Sequence, residues 1–470
     1  MGNLPKYWVQ TDLDTLFSLA YGKGLSVKQL IPDGLYNVYG ANGIIGNYNS
    51  FNQEKSRVII SCRGAASGAI HQTLPQSFVT SNSIVLDAYS DELLIPSYVK
   101  YFMTSTDKSK VITGTAQPQI TIQLLKNLKF NFPPLAEQQR IVAKLDTLFG
   151  HLDSLKQRLE LIPTLLKQFR QSVLTQAVTG KLTEEWREGK ELGDWEEKQL
   201  CDLRKKECEY GNIELEKSGR RKQKIKPFTW NGKNEIGWAQ VNFESATIFI
   251  IDCLHNTPKF EREGKFIIDT TCISPFKIHW EKTRKINEEY YQKWVTRLLP
   301  SEGDILFSRE GTIGIGVKVP SKKEICIGQR MMLFRFGSYI ISDFAEIYVN
   351  SMVFKDEFRP HIKGVAAQHL NIGDIRQLNF PIPTIIEQTE IVKRVEALFT
   401  KADSIQAAYD KLKQQIDNLP QAILAKAFKG ELVAQLPTDG DAKELLKEIA
   451  ALRASLEKEK KSKKKKKVNA

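Results

Sequence analysis

"FPPLAEQQRIVAKLDTLFGHLDSLKQRLELIPTLLKQFRQSVLTQAVTGKL", residues 132–182, decides the fold. Its apolar residues alternate steps of four and three through Ile141, Leu145, Leu148, Leu152, Leu155, Leu159, Ile162, Leu166, Phe169 and Val173. That spacing lays one stripe along one side of a helix, the pattern of a coiled-coil strand. Pro133 and Pro134 suit the start of such a helix, and Gly180 suits a left-handed cap at its end.

A diluted copy begins at Phe380. Residues 137–182 set against 387–432 share roughly 13 identities in 46 positions, among them Glu137/Glu387, Leu148/Leu398, Phe149/Phe399, Asp153/Asp403, Gly180/Gly430 and Leu182/Leu432. The second seam runs through Ile391, Val395, Leu398, Ala402, Ile405, Tyr409, Leu412, Ile416, Leu419 and Ile423. Two matched seams predict a coiled-coil pair. Pro163 and Pro420 fall inside the segments, where each removes a backbone hydrogen bond at about 3 kcal/mol, so a kink or break is expected at both. Unbroken, a helix of about 44 residues would reach roughly 65 Å.

The segments ahead of each helix are different. Residues 1–130 and 193–380 alternate short β-branched and aromatic runs with Gly, Asn and Pro turns, as in "RVIISCRG" and "GDILFSREGTIGIGVKVP". The expected fold is α+β or α/β: strand-rich domains at 1–132 and 193–382, helical spacers at 133–182 and 383–432, and a charged tail at 437–470 that loses order toward its end. At 470 residues the chain is long enough for several cores.

The net charge of +13 is local. Lys458–Lys467 holds eight lysines against one glutamate, and Arg204–Lys226 nets about +5. The tail reads as a solvated appendage that adds sequence-blind attraction to phosphates; "KSGRRKQKIK" at 217–226 reads either as a phosphate-contacting loop or as a flexible insertion. Neither a secretory leader nor an apolar run of roughly 18 residues is present, which predicts a cytoplasmic protein with no membrane partner. Cysteines 62, 201, 208, 253, 272 and 326 include no C-x-x-C pair, so reduced structural thiols and no metal site are expected.

The pattern "NFPPLAEQQRIV…LFGHLDSL…SVLTQAVTGKL", repeated as "NFPIPTIIEQTEIV…LFTKADSI…AILAKAFKGEL", resembles the specificity subunits of type I restriction-modification enzymes. "YGANGIIGNYNSF" and "SCRGAASG" in the first domain, and "DCLHNTP", "GDILFSREGTIG" and "KGVAAQHLN" in the second, are similar to stretches of that family's target recognition domains. The resemblance covers nearly the whole chain apart from 204–226 and the tail. It implies two target recognition domains, each binding half of a split target in double-stranded DNA, separated by two long helices packed as an antiparallel coiled coil in a pseudo-twofold repeat. It further implies two modification subunits that methylate adenine at N6 with S-adenosylmethionine, and two ATP-dependent restriction/translocase subunits. No cofactor is expected on this chain; S-adenosylmethionine, ATP and Mg2+ would belong to the partners. Half-sites on one face of B-DNA recur about every 34 Å, so a stiff helical spacer would fix the number of unread base pairs. Unlike recognition domains imply an asymmetric target.

Bases are read by Arg, Asn and Gln on loops that enter a groove, while Lys and backbone amides hold phosphates. Candidates on glycine-rich turns are Lys23, Asn42, Asn47 and Arg63 in the first domain, and His255, Thr257, Lys259, Arg309, Thr312, Gln368 and His369 in the second. Arg63 and Arg309 follow comparable strands, which suggests a shared structural or phosphate role. Two rival readings compete with this one. An enzyme finds little support: "NFPPL" has Phe132 splitting an Asn-Pro-Pro motif, Asp252 with Glu263-Gly264-Lys265 has nuclease-like order by chance spacing, and "GTIGIGVK" lacks a phosphate-loop ending. A non-catalytic coiled-coil adaptor that binds only proteins shares the helices, but has no need for paired strand-loop domains.

Overall fold

The repeated segments form helices Leu135–Glu160, Ile162–Val178 and Ile385–Phe428. In the computed structural model residues 4–114, 117–364 and 368–468 are described. They divide into two compact units: the residues up to Glu160 with those from Asp410 onward, and Leu161–Tyr409.

Each unit contains its own antiparallel helix pair. In the first, Arg140 bonds the Ala434 carbonyl at 3.1 Å and Asp439, Lys156 approaches Asp417 at 3.9 Å, and Asn131 donates to the Phe428 carbonyl. One strand's numbers rise as the other's fall. In the second, Arg170 pairs with Asp403 at 2.6 Å, Arg394 donates to the Leu182 carbonyl at 2.9 Å and Thr183 reaches Glu387.

Only part of each expected seam is buried. Ile141, Leu145, Leu152, Leu159, Leu166 and Val173 are buried, as are Ile391, Val395, Ala402, Tyr409 and Ile416. Beyond Leu145 and Val395 these are seven-residue steps. The intervening position is half-buried at Leu148, Ile162 and Leu398 and exposed at Leu155, Phe169, Ile405, Leu412 and Leu419. A pair of helices needs both heptad positions only when they supercoil symmetrically; here one row carries the contact and the other remains available.

Pro163 sits in the first turn of Ile162–Val178, with Leu161 interrupting the helix before it, so the expected break occurs there. At Pro420 the helix is not broken. Ile385–Phe428 runs on through it, with Ile416 and Leu424 buried on either side. The lost hydrogen bond is offset by burial of those flanks, each worth about 1.5–3 kcal/mol. Gly180 and Gly430 end the two segments at φ +77° and +76°. A Cβ there would lie 2.2 Å from Ile236 and 2.2 Å from Pro5 respectively.

The two strand-rich parts are copies. Phe17–Tyr21, Ser83–Ala88, Val58–Ser61 and Ile70–Gln72 make a four-stranded antiparallel sheet in that order. Thr247–Asp252, Met331–Phe336, Ile305–Ser308 and Gly316–Lys318 do the same. A three-stranded sheet with one antiparallel and one parallel neighbour follows in each: Tyr36–Gly40 between Gly43–Tyr48 and Phe78–Val79, and Lys265–Ile268 between Arg284–Ile286 and Ile325–Ile327. A third sheet closes each domain onto its helix, Val9–Asp12 with Lys129–Phe132, and Ala239–Asn242 with Asn379–Ile382, joined in the second domain by Trp230–Lys233.

The Glu-Gln pair shared by both helices ties domain to helix. Gln138 accepts from Ile95 N and donates to the Leu93 and Pro133 carbonyls; Gln388 accepts from Ile341 N and donates to the Tyr339 and Pro383 carbonyls. Each buried amide thereby satisfies its oxygen and both N–H groups. The helix ends return to the domains as well: Leu424, Ala427 and Phe428 join the core of the first unit, and Val173, Leu174, Ala177 and Val178 that of the second.

The front of the tail packs against the first domain. Ala442–Val468 is helical, with Ala442 and Ile449 buried and Arg453 donating to the Asp14 carbonyl at 2.9 Å. Ala, Leu, Glu and Lys are all strong helix formers, and Leu445, Leu446 and Ile449 supply an apolar face that the charge count conceals.

Candidate nucleic-acid interface

In the first domain three candidates come together where the four-stranded sheet ends. Ser61, fully buried, donates to the Ala41 carbonyl at 2.5 Å, and Ser83 donates to the Gly40 carbonyl. These bonds pin the two-residue tip Ala41-Asn42 of the hairpin, leaving Asn42 exposed. Arg63, two residues past Ser61, is also exposed and pairs through its backbone with Gln119. Lys23 follows its strand out to bridge Thr80, and its carbonyl accepts from Ser81. Asn47 lies elsewhere. It is about 16 Å along the strand from the tip, opposite Asn37, with its side chain donating to the Pro32 carbonyl. Its amide shapes the 31–34 turn.

The second domain gathers its candidates at the matching edge. Arg309 is 7% exposed; its Nε lies 3.0 Å from Asp252 and its Nη2 2.9 Å from Glu310. Asp252 also holds His255 at 3.1 Å, and Glu310 faces Arg330 at 3.9 Å. Thr257 accepts from Gln329, Gln368 accepts from Gly311 through its backbone, and His369 pairs by backbone bonds with Lys363. Thr312 is exposed on the turn, its carbonyl bonded by Ser308; Lys259 is exposed on the 253–259 loop. Val365, Ala366 and Ala367 of "KGVAAQHLN" lie outside the described residues.

Arg63 and Arg309 are not equivalents. Ile120 N bonds the Cys62 carbonyl and Leu370 N bonds the Arg309 carbonyl; Gly64 N bonds the Pro118 carbonyl and Gly311 N the Gln368 carbonyl. In the shared Ser-x-x-Gly turn, Cys62 therefore matches Arg309, and Arg63 matches Glu310. The second position turns inward and the third outward. Arg63 is available to a ligand while Arg309 is a buried member of an ion-pair chain.

Residues that sequence reasoning missed sit beside those it named: Gln119 next to Arg63, and Gln329, Arg330 and Glu310 around Arg309. Only the cross-strand register exposes them. Residues of the rival enzyme motifs are engaged in packing: Asn131 is held by Gln10, Tyr98 and the Phe428 carbonyl, Asp252 by Arg309, and Lys265 by Glu324. All six cysteines are free, and burial pushes the thiols of Cys62 and Cys253 up, and that of Cys326 up to about 12. Those three are poor nucleophiles. Among the described residues no group of three or more His, Cys, Asp or Glu side chains is placed to hold a metal, and no helix is long and apolar enough to cross a membrane.

Two domains with one topology, each joined to the same helix motif and each presenting exposed polar loops at one sheet edge, define a repeated recognition scaffold. The chain belongs to the family described as the type I restriction modification DNA specificity domain, whose model matches residues 5–164 and 192–414. It is 30% identical over 452 residues to the EcoBI specificity subunit of Escherichia coli, covering 93% of this chain and 84% of that one. It is 28% identical to the EcoKI specificity subunit of Escherichia coli (strain K12) over 99% of both chains, and 28% identical to the StySPI specificity subunit of Salmonella potsdam over 92% and 91%. Its fold is similar to that of the HsdS subunit from Thermoanaerobacter tengcongensis, with a TM-score of 0.53 at 17% identity, covering 92% of this chain and 98% of that one. A chain solved in work on assembly and conformational transition of the type I R-M system gives a TM-score of 0.59 at 16% identity, covering 92% and 100%.

Proposed function

We propose that this chain is the non-catalytic reader of a type I restriction-modification complex, binding a bipartite, asymmetric target in double-stranded DNA through its two recognition domains. The observation that carries this reading is the doubled sheet edge: the same strands in the same order end in loops of different sequence, Asn42 and Arg63 in one case and the Asp252–Arg309–Glu310 group in the other. Identical frames with unlike loops suit two unlike half-sites. In this reading exposed Arg63, Asn42, Lys259 and Thr312 face the duplex, and Arg309 positions the loop carrying His255 and Thr257.

The helices serve as spacer and as docking surface. The first unit exposes Leu155, Leu412 and Leu419 on its pair; the second exposes Leu161, Leu165, Phe169 and Ile405. Apolar patches on otherwise charged helices suit protein partners, and their repetition fits two modification subunits. Those subunits would methylate adenine at N6 using S-adenosylmethionine, and two restriction/translocase subunits would supply ATP- and Mg2+-dependent cleavage. This chain would bind none of these cofactors.

Mapping methylated sites in cells that express the chain with its modification partner tests the reading. A split motif with two unlike halves is expected, and replacing residues 1–132 with another recognition domain should change one half alone. A continuous motif, or a change in both halves, would defeat it.

A further inference from the structure

A basic groove lies beside the second domain's reading loops. Helix Glu197–Lys217 lays Leu200, Arg204, Cys208, Gly211 and Leu215 along one face, against strand Thr247–Asp252. Gly211 sits within that contact because a Cβ would lie 2.8 Å from the Phe249 ring. The chain returning from this helix is the lysine- and arginine-rich stretch whose composition suggests a loose loop, yet it is fastened at three points. Arg220 donates to the Val295 carbonyl at 2.9 Å. Asn212 holds Gln223 from both sides, donating to its carbonyl at 2.9 Å and accepting from its N–H at 2.7 Å. Arg204, 3% exposed, donates to the Lys226 carbonyl at 2.9 Å and to those of Thr247 and Glu244.

Between these anchors Arg221, Lys222 and Lys224 are exposed. With Arg297 and Arg376 they line a groove of about 600 Å3 along Ile250–Asp252. Lys222 pairs with Glu216 and Arg376 with Glu244, each at 2.8 Å. Arg221 and Lys224 form no ion pair among the described residues, and Arg297 donates through Nη1 to the Asp252 and Cys253 carbonyls, where the 253–259 loop begins. The groove therefore runs into the candidate reading loop. Cations fixed on a fastened frame lose little entropy on meeting an anion, and a row of them beside a base-reading loop suits the phosphates that flank the bases.

We infer that this groove grips the phosphodiester backbone of duplex DNA beside the second half-site, with Arg221 and Lys224 as its principal contacts. The inference rests on the reader function proposed above and adds to it a sequence-blind ionic anchor. Each neutralised phosphate contributes about 0.9 to the slope of log affinity against log salt.

The test uses the chain assembled with its modification subunits, carrying R221Q and K224Q together, on the methylated target duplex and on a scrambled duplex across a salt series. Affinity for both duplexes should fall by one common factor, about 10- to 30-fold near physiological salt, with the slope shallower by about one to two and the methylated motif unchanged. In the unsubstituted assembly, neutral methylphosphonate links outside the second half-site should weaken binding similarly, while the same links at the spacer's centre should not. An unchanged slope, a changed motif, or loss of subunit assembly at constant slope would each overturn the inference, the last by assigning the groove to an acidic protein partner. If the unsubstituted assembly discriminated no sequence at all, the reader function itself would fall, an outcome distinct from failure of the groove.

Discussion

The indole N–H of Trp238 donates to Glu387 Oε2 at 2.8 Å, fastening the entry of strand Ala239–Asn242 in the second recognition domain to the helix that leaves that domain. Trp8 and Glu137 repeat the bond at 2.9 Å. The surroundings of the two carboxylates differ. Glu387 also meets Arg187 at 2.6 Å and accepts from Thr183, whereas Glu137 Oε1 has no hydrogen-bond partner and burial pushes its carboxyl above the usual range. E387Q would leave Arg187 without its counter-charge and should cost about 3 kcal/mol. E137Q keeps an acceptor for Trp8 and removes a poorly compensated buried charge, so its cost should be below about 1 kcal/mol. Thermal melts of the two variants at neutral pH decide it; equal losses would show that the paired glutamates are energetically alike.

The shifted register of the Ser-x-x-Gly turns separates two arginines that look alike in sequence. R309A would strand Asp252 and Glu310 beside a cavity, and should destabilise the second domain by about 3 kcal/mol. R63A removes an exposed side chain and should leave stability within about 0.5 kcal/mol. Its effect should appear in DNA binding, as a loss of about 1–3 kcal/mol if Arg63 reads a base, with relaxed preference at one position. Melting curves and competition binding on single-base target variants report the two effects separately.

The helices were legible in sequence because a seven-residue period is a direct image of helical geometry. Which of its two rows is buried was not: Leu152 and Leu155 are equally apolar on paper, and only the partner helix's position buries one and exposes the other. The recognition edge was partly legible. Glycine-rich turns marked Asn42 and Arg63, but Asn47 carried the same marks while serving Pro32, and Arg309 aligned by residue type though not by hydrogen bonding. Gln119 and Arg330 carried no local signal, since strands far apart in sequence bring them to the site. Glu137 and Gln138 were visible as repeated letters; their bonds to Trp8 and to residues 93–95 exist only in the folded chain.

The exposed row on the helices predicts an assembly defect without a folding defect. L155E with L412E places two charges on an exposed apolar row of the first unit, so monomer stability should change by less than about 1 kcal/mol. Burying those charges against a partner should weaken capture of one modification subunit by at least about tenfold. Measuring the mass of the assembled complex beside the melting temperature of the free chain separates these effects. A variant that melts far below the parent would place the row inside the fold's own packing.

Glu346 should give the chain a pH-dependent loss of stability. It is buried on helix Ser342–Asn350, accepts from Lys318 N at 2.9 Å, and burial pushes its carboxyl up from 4.5 to about 7, with Asp343 adding to the rise and Lys318 opposing it. Between those two values the folded chain retains a proton that the unfolded chain has released. Stability from this group is therefore greatest below pH 4.5, declines as pH rises through the window, and levels off above 7; the whole decline is about 1–3 kcal/mol. E346Q keeps an acceptor for Lys318 N and cannot titrate. The variant should match the parent near pH 5 and exceed it near pH 8, which denaturant midpoints at the two pH values would show. A parent–variant difference that is the same at both would mean that Glu346 does not hold its proton in the fold.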